Sequence, residues 1–283
     1  MALPVNQAPE LSDAAFATWQ DIIEERIGLQ LPEQRRSFLK TCLSIRMREV
    51  GFDDYLAYYN HICDGDTGFI EWNRLMDRLT VQETRFFRDP IAFSLVKEHL
   101  EERILTNTAP LSLWSVGCSS GEEAYSLGIT AQEVIDKSSP EFSPIRYGVT
   151  GTDISRDALS RANAGLYSLR RLDSMEPSLV KRYFTQQGYK YHIVQTVKDR
   201  ICFVRLNLLQ LAGSPLKNLD VIYCQNVLIY FRKWRRKDIV TELADRLAPG
   251  GLLVLGLGDM VDWNHPDLTR VPGEHVLAFL KRK

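Results

Sequence analysis

Hydrophobic residues recur at helical spacing along the first 80 residues of the chain. Four segments repeat an apolar side chain every three or four positions, and Gly28, Pro32, Gly51 and Gly65 separate them. The pattern therefore predicts an all-helical N-terminal domain over residues 1–80, whose helical segments read AAFATWQDIIEERIGL, RRSFLKTCLSIRMREV, DDYLAYYNHIC and FIEWNRLMDRL.

From residue 111 onward, short apolar runs alternate with amphipathic helical stretches. Apolar strands separated by helices are typical of a mainly parallel sheet that is covered on both faces, so residues 111–283 are predicted to form a doubly wound α/β domain. Residues from about 170 to 200 break the alternation with a helix and the polar–apolar run YKYHIVQTV, which predicts a small antiparallel insertion. Residues 81–110 are predicted to form a polar linker and one more helix.

The composition adds several exclusions. The formal net charge of -1 argues against nucleic-acid binding, and no apolar run reaches the roughly 18 residues of a membrane span, so we expect no membrane insertion. The start of the chain lacks the basic and apolar regions of a secretory signal, so we expect a cytoplasmic protein. The five cysteines contain no CxxC pair and the five histidines are scattered, so neither a disulfide framework nor a metal site is expected.

The segment SVGCSSGEEAYSL, residues 115–127, joins an apolar run to a helix through a turn of small residues, as many nucleotide sites do. It is not a P-loop, because no lysine follows Gly121, and the spacing from Gly117 to Gly121 is not that of a dinucleotide motif. Glu122 and Glu123 would also repel a phosphate at the first helical turn. S-adenosylmethionine carries a sulfonium and an ammonium and no phosphate, so we expect Gly117 and the two glutamates to bind it.

Polar residues follow three further apolar runs. Asp153 ends the run that reads GTD, at a position where an acidic residue commonly binds ribose hydroxyls. Asn207 and the pair Gln225–Asn226 follow two later runs, and the carboxyl ends of parallel strands meet at one edge of a sheet, so we expect these groups to converge. The alternative is that the two glutamates only balance the helix dipole and that Asp153 caps the helix beginning at Ser155.

Five separated motifs, taken in order together with the helical N-terminal domain, resemble the CheR-type chemotaxis receptor methyltransferases. This family transfers a methyl group from S-adenosylmethionine to receptor glutamates, which leaves S-adenosylhomocysteine. The resemblance covers residues from about 15 to 280, and the motifs that carry it are LTVQETRFFRDP, VGCSSGEEAYSLGI, GTDISRDALSRANAGLYS, RLNLL and YCQNVLIYF.

The resemblance implies a set of cofactor contacts, to which the linker region 81–110 also contributes. Gln82 stands where the family usually has asparagine, and Gln225 stands where it usually has arginine. Both side chains still form hydrogen bonds, so the resemblance implies altered affinity and retained function. The implied contacts are Gln82, Thr84, Arg88, Glu123, Asp153, Asn207, Leu208, Gln225 and Asn226.

The reaction that the resemblance implies needs no general base. A glutamate with a pKa of about 4.3 is already ionised at neutral pH, so the enzyme has to supply position and desolvation. The resemblance places Arg88 and Tyr230 near the methyl group, and we expect both to act in catalysis. The alternative for Tyr230 is a core position, which is common for an aromatic residue in a run such as VLIYF.

The substrate that the resemblance implies is the cytoplasmic region of a methyl-accepting chemoreceptor, whose methylation segment is acidic. Residues 34–48 hold five cations and no acid, which suits docking to such a segment, although a solvated helix face is the alternative. On a helix, some of these cations lie on the polar side and two lie nearer the apolar face, where they snorkel or pair internally. The candidate docking residues are Arg36, Lys40 and Arg48 on the polar side, and Arg35 and Arg46 nearer the apolar side.

Some members of the family also use the antiparallel insertion to bind a pentapeptide at the receptor C-terminus. Here the connection FTQQGYKYHIV is short and contains only Gly188, so we expect an enzyme that is independent of this tether. Two other functions stay open: a methyltransferase for another substrate, and a non-catalytic S-adenosylmethionine-binding scaffold or sensor. An oxidoreductase that uses a nucleotide is disfavoured by the two glutamates.

Overall fold

The computed structural model describes residues 10–80, 82–106, 109–138, 146–260 and 263–282. The chain divides into two compact units, Met1–Val81 and Gln82–Lys283. In the stretches that the structure covers, no helix combines the length and the apolar composition needed to cross a bilayer.

The first unit is all-helical, as the sequence predicts. Its first helix begins after Ser12, whose hydroxyl accepts a hydrogen bond from the backbone of Ala15 at 3.2 Å, and ends at Gly28, which has a φ of 74°. The apolar faces meet in a core built around Trp19, Leu43 and Tyr58, none of which is more than 1% exposed. The helices are α1 (Asp13–Ile27), α2 (Arg36–Val50), α3 (Tyr55–Cys63) and α4 (Gly65–Leu79).

The second unit contains a seven-stranded sheet in the order β6-β2-β1-β7-β8-β10-β9. Strands β6, β2, β1, β7 and β8 run parallel, and β10 runs antiparallel to both β8 and β9. The strands of this sheet are β1 (Leu111–Val116), β2 (Tyr147–Asp153), β6 (Ile201–Arg205), β7 (Leu219–Cys224), β8 (Leu247–Leu255), β9 (Leu268–Arg270) and β10 (Leu277–Lys281).

Helices cover both faces of this sheet. One apolar cluster joins α5 and α6 to the sheet, and a separate cluster on the other side joins α10 to it through Val240 and Leu243. The predicted doubly wound, mainly parallel architecture is therefore confirmed. The helices of this unit are α5 (Pro90–Thr106), α6 (Glu122–Lys137), α7 (Arg156–Ala164), α8 (Pro177–Tyr183), α9 (Gln195–Lys198) and α10 (Lys233–Asp245).

A second, three-stranded antiparallel sheet lies in the order β3-β5-β4 and corresponds to the predicted insertion. Its first strand starts at Leu166, before the expected boundary near residue 170, and the run YKYHIVQTV leaves the strand after Ile193 for the helical turn α9. The strands are β3 (Leu166–Ser168), β4 (Phe184–Gln187) and β5 (Lys190–Ile193).

Candidate active site

The residues that follow four neighbouring parallel strands lie at one edge of the sheet. Because β6, β2, β1 and β7 are adjacent and parallel, their carboxyl ends face the same way. Asn207 follows β6, Asp153 ends β2, Gly117 follows β1 and Gln225 follows β7. The structure thus brings together the four strand ends that the sequence singled out.

The turn after β1 approaches the turn after β7 very closely. Gly117 has a φ of 71°, and a Cβ on it would lie 2.4 Å from Cγ2 of Val227. Only glycine satisfies both conditions without strain. Gly117 therefore allows the turn after β1 to pack directly against the turn after β7.

Glu123 is the acidic residue that faces this edge. Its Oε1 accepts a hydrogen bond from the Ser115 hydroxyl at 2.6 Å, at the end of β1. Burial raises the pKa of the Glu123 carboxyl to about 8, and both that hydrogen bond and the positive charge of Arg88 oppose the rise. A cation bound beside Glu123 would favour its ionised form, so this carboxyl suits a positively charged ligand.

Glu122, which was also expected to bind the cofactor, occupies a different environment from Glu123. It is 1% exposed, accepts a hydrogen bond from the Ser120 hydroxyl at 2.7 Å, and lies 3.6 Å from Nε of Arg171. Arg171 in turn donates to the backbone carbonyl of Thr84. Glu122 thus supports the segment that carries Thr84, and a contact of Glu122 with the cofactor stays a prediction.

Asp153 connects the ends of two strands. Its Oδ2 accepts from the backbone N–H of Ser119 and its Oδ1 from that of Ser155, both at 2.9 Å. The cap of α7 is Ser155 itself, whose hydroxyl accepts from the N–H of Ala158, so the capping alternative for Asp153 does not hold. The two backbone bonds fix the plane of the Asp153 carboxylate at the sheet edge.

The segment 82–89, at the start of the second unit, packs against the rest of that unit through its own side chains and backbone. Nε2 of Gln82 donates to the Ser155 hydroxyl at 3.0 Å, and Phe86 is fully buried among aromatic residues of the small sheet. Arg88 is exposed and donates to the carbonyl of Glu83 at 3.0 Å. The positive charge of Arg88 also lowers the pKa of Glu123, which burial raises.

Gln225 links the segment to strand β7. Its Nε2 donates to Oδ2 of Asp89 at 2.9 Å, and its Oε1 accepts from the Tyr223 hydroxyl at 3.0 Å. Both ends of the amide are therefore engaged within the protein. Gln225 holds the start of α5 against the sheet. It therefore has a structural role in addition to the predicted contact with the cofactor.

Asn207 and Leu208 lie at the start of a short 3₁₀ helix. Oδ1 of Asn207 accepts from the backbone N–H of Leu209 at 3.1 Å and thereby caps this helix. Leu208 packs, half-buried, against the apolar cluster on the α10 side of the sheet.

Asp259 is a residue that the sequence reasoning missed. This fully buried carboxylate accepts three backbone N–H bonds, from Asn226 at 2.9 Å and from Ile229 and Gly256 at 3.0 Å. Burial raises the pKa of Asp259, and the three donors oppose that rise. The signal was present in LGLGDM, a small-residue turn with an acid after the fifth parallel strand.

Arg236 completes the support of the same turn. Its guanidinium donates to the carbonyls of Phe231 at 2.8 Å and Ile229 at 2.9 Å, on either side of Tyr230. Asp259 thus satisfies the N–H groups of the turn and Arg236 its carbonyls. Tyr230 is half-buried and Asn226, with a φ of 61°, is exposed at the beginning of the turn.

The five cations near α2 have different environments, all described within the first unit. Arg46 is 7% exposed and its guanidinium binds the buried carboxylate of Glu71, with Nε to Oε1 at 2.8 Å. A buried ion pair is not accessible to a partner, so Arg46 does not belong to a docking surface; it pairs internally, as its place near the apolar side suggested.

Arg36 is also engaged, in ion pairs of 2.7 Å with Asp13 and with Glu33. Arg35 lies beside the ring of Phe38. Arg48 is exposed and Lys40 is half-buried. Arg35 and Arg36 are half-buried as well, so Arg48 is the most accessible of these candidate docking residues, and docking to a receptor stays a prediction.

The order of the seven strands, with its antiparallel β10 between β8 and β9, is that of the class I S-adenosylmethionine-dependent methyltransferases. Two family models match the chain. The one described as "CheR methyltransferase, SAM binding domain" matches residues 82–276, and the one described as "CheR methyltransferase, all-alpha domain" matches residues 14–80. The chain therefore belongs to the CheR methyltransferase family.

Curated relatives agree with this assignment. A chemotaxis protein methyltransferase of Salmonella typhimurium is 30% identical over 99% of this chain and 95% of that protein. One from Klebsiella aerogenes is 32% identical over 96% of this chain and 92% of that protein. Among solved structures, magnesium protoporphyrin IX methyltransferase of Synechocystis with bound S-adenosylmethionine covers 96% of this chain and 100% of its own at 12% identity, with a TM-score of 0.36.

Proposed function

We propose that the chain methylates glutamate side chains in the cytoplasmic region of methyl-accepting chemoreceptors. The reaction produces glutamyl methyl esters and S-adenosylhomocysteine and makes the chain a cytoplasmic protein-glutamate O-methyltransferase. Membership of the CheR methyltransferase family supports the reaction class. The observation that supports the chemistry is the sheet edge itself, which offers carboxylates and amides and a half-buried tyrosine.

The residues at this edge fit S-adenosylmethionine. Glu123 is a partly buried carboxyl whose raised pKa makes it responsive to a nearby cation, and the cofactor carries two positive groups. Asp153 ends β2, where acids commonly bind ribose hydroxyls. When bound, the cofactor supplies an electrophilic methyl group. The residues that would hold it are Glu123, Asp153, Asn207 and Asn226. Gly117 would allow the turns after β1 and β7 to lie close together beside it.

The chain's own residues need to position the incoming carboxylate and not to deprotonate it. A receptor glutamate is already ionised at neutral pH. We assign Arg88 a loose contact with this carboxylate, because a tight bidentate pair would reduce its nucleophilicity. We assign the Tyr230 hydroxyl the role of orienting the reacting groups. Asp259 and Arg236 fix the turn that carries Tyr230.

Two cysteines near this edge do not act as methyl acceptors. Cys118 follows β1 and Cys224 ends β7, and both are buried. Burial raises the pKa of each thiol well above its usual value, and the thiol form is a poor nucleophile. A direct transfer to the receptor carboxylate is therefore favoured over a relay through a thiol.

Transfer to a receptor distinguishes this function from a methyltransferase for another substrate and from a non-catalytic scaffold. Purified protein would be incubated with methyl-labelled S-adenosylmethionine and membranes that contain chemoreceptors. We expect label on the receptor band that mild base releases, as it does from a carboxyl methyl ester. Base-stable label, or calorimetric cofactor binding without any transfer, would contradict the proposal.

We further propose that methylation does not depend on a C-terminal receptor pentapeptide. Strands β4 and β5 are joined by only Gly188 and Tyr189, which leaves little room for a separate peptide-binding loop. Removing the last five residues of the receptor should leave KM unchanged. A marked rise in KM would show that the small sheet binds the receptor tail.

A further inference from the structure

The start of α10 concentrates positive charge around an exposed tryptophan. Residues 232–237 read RKWRRK, with five cations in six positions, in a chain whose net charge is -1. Trp234 is 54% exposed, and the guanidinium of Arg235 lies 4.2 Å from the centre of its ring. We refer to Lys233, Trp234, Arg235 and Lys237 as the α10 patch.

Folding of α10 does not account for these cations. A helix N-terminus carries partial positive charge and is stabilised by acids in its first turn, yet the first turn of α10 has none. Its N-cap is Arg232, which makes no side-chain capping bond. Within the described residues, Lys233, Arg235 and Lys237 form no ion pair with an acid. The charges are placed where they disfavour the helix, so an anionic partner explains them better.

The α10 patch is joined directly to the turn that carries Tyr230. Arg236, in the middle of the basic run, turns inward and donates to the carbonyls of Ile229 and Phe231, at 2.9 and 2.8 Å. The same guanidinium reaches the carbonyls of Gly258 and Asp259 at 3.4 Å. The first turn of α10 and the candidate catalytic turn are therefore held together through one guanidinium.

The turns that Arg236 contacts also carry exposed apolar side chains. Ile229 is 42% exposed and Leu257 is 55% exposed, and both belong to the turns that Asp259 and Arg236 hold. Exposed apolar groups beside a cluster of cations are typical of a surface that binds a partly apolar, acidic partner.

We propose that the α10 patch docks the acidic receptor segment that contains the target glutamate, an inference that rests on the proposed function. A glutamate that reaches Tyr230 brings its flanking residues over Ile229 and onto the first turn of α10. Lysine and arginine side chains then attract the flanking carboxylates, and Trp234 packs on the apolar part of the segment. The surface belongs to the second unit, whereas the cations of α2 belong to the first.

The test uses the full chain and a soluble cytoplasmic fragment of a receptor, so that membrane binding cannot contribute. Lys233→Glu/Arg235→Glu should raise KM for the fragment about tenfold at low ionic strength, and the difference should shrink as salt screens the charges. The value of kcat and the calorimetric affinity for S-adenosylmethionine should not change. Trp234→Ala should raise KM with little dependence on salt.

A matched control changes the same amount of charge on the opposite face of the sheet. Lys97 on α5 and Lys137 on α6 have side chains that are 44% and 62% exposed. The variant Lys97→Glu/Lys137→Glu should keep the KM of the unsubstituted chain. An equal rise in both double variants would mean that net charge alone matters, which would overturn the inference.

Two other outcomes would overturn the proposal. The first is an unchanged KM for the receptor fragment in Lys233→Glu/Arg235→Glu. The second is an unchanged KM together with loss of binding to receptor-free anionic vesicles, which would assign the patch to membrane binding. If this variant did not fold, the neutral pair Lys233→Gln/Arg235→Gln would decide by the same KM criterion. No transfer by the unsubstituted chain would refute the proposed function and the inference with it, whereas transfer that ignores the patch would refute only the inference.

Discussion

Replacing Asp259 with asparagine should loosen the turn that carries Tyr230 while changing only one atom of the side chain. The carboxylate accepts the N–H groups of Asn226 and Gly256 at Oδ2 and that of Ile229 at Oδ1. An asparagine retains one acceptor oxygen and turns an NH₂ group toward a backbone donor on the other side. At least one of the three N–H groups would lose its partner in a fully buried site.

The size of the effect follows from these bonds. Hydrogen bonds to charged groups contribute roughly 1.5–3 kcal/mol each, and a buried donor without a partner adds a desolvation cost, so the loss should be about 2–4 kcal/mol. For a unit of this size such a loss lowers the melting temperature by roughly 5–15 °C. Displacement of Tyr230 by about 1 Å should lower kcat on the order of 100-fold.

The assay compares kcat, KM and cofactor affinity at a temperature where both proteins are folded. We expect a large decrease in kcat and only a small change in the KM for the receptor, because Asp259 acts through Tyr230 and does not contact the substrate. Asp238→Asn makes the same chemical change at an exposed position of α10 and should leave the melting temperature, kcat and the cofactor affinity unchanged. Normal melting temperature and normal kcat in Asp259→Asn would refute the role of Asp259 as a positioning residue.

Three further predictions concern the site and the first unit. The pKa of Glu123 is raised to about 8 and a bound cation favours its carboxylate, so the affinity for the cofactor should increase with pH by up to about tenfold per pH unit and level off above that pKa. In calorimetry, Glu123→Gln should make the affinity independent of pH over this range. The same pH dependence in both proteins would contradict the assignment of Glu123 to the cofactor site. Arg88→Ala and Tyr230→Phe should each lower kcat at least about tenfold with little change in melting temperature, and full activity in both would remove them from the catalytic set. Glu71→Ala leaves the buried Arg46 with only Glu49 as an ion-pair partner and removes the acceptor of the Tyr58 hydroxyl, so it should destabilise the first unit by about 3 kcal/mol in thermal denaturation. An unchanged midpoint would show that the pair of Arg46 and Glu71 does not stabilise this unit.

Much of the sheet could be predicted because central strands such as β1 and β7 are buried on both faces and read as uninterrupted apolar runs. The segment LSLWSV became β1 with the predicted ends, and LDVIYC became β7. The short β9 was missed, because three residues with two exposed side chains carry little periodicity.

The side chains at the edge were harder to assign. Glu122 and Glu123 are consecutive and chemically identical, but successive residues on a helix point about 100° apart. Glu123 therefore contacts Ser115 of β1, and Glu122 lies near Arg171 in the short 3₁₀ helix that follows β3. Only the folded chain shows which glutamate takes which position. Arg46 and Arg48 differ for a similar reason, since Glu71 comes from another helix.

Asp259 shows a further limit. Its partners are backbone N–H groups of Asn226, Ile229 and Gly256, and any sequence supplies such donors. The pattern along the chain consequently contains no trace of the contact except the acid itself, after a strand end.

Mapping the methyl group by tandem mass spectrometry tests the central claim most directly. A soluble receptor fragment would be incubated with the full chain and S-adenosylmethionine, then digested and sequenced at a pH that preserves esters. The account predicts a methyl group on glutamate side chains of the fragment, present with the unsubstituted chain and strongly reduced with Tyr230→Phe. Methylation confined to lysine, arginine or cysteine side chains, or none at all while the cofactor binds, would contradict it.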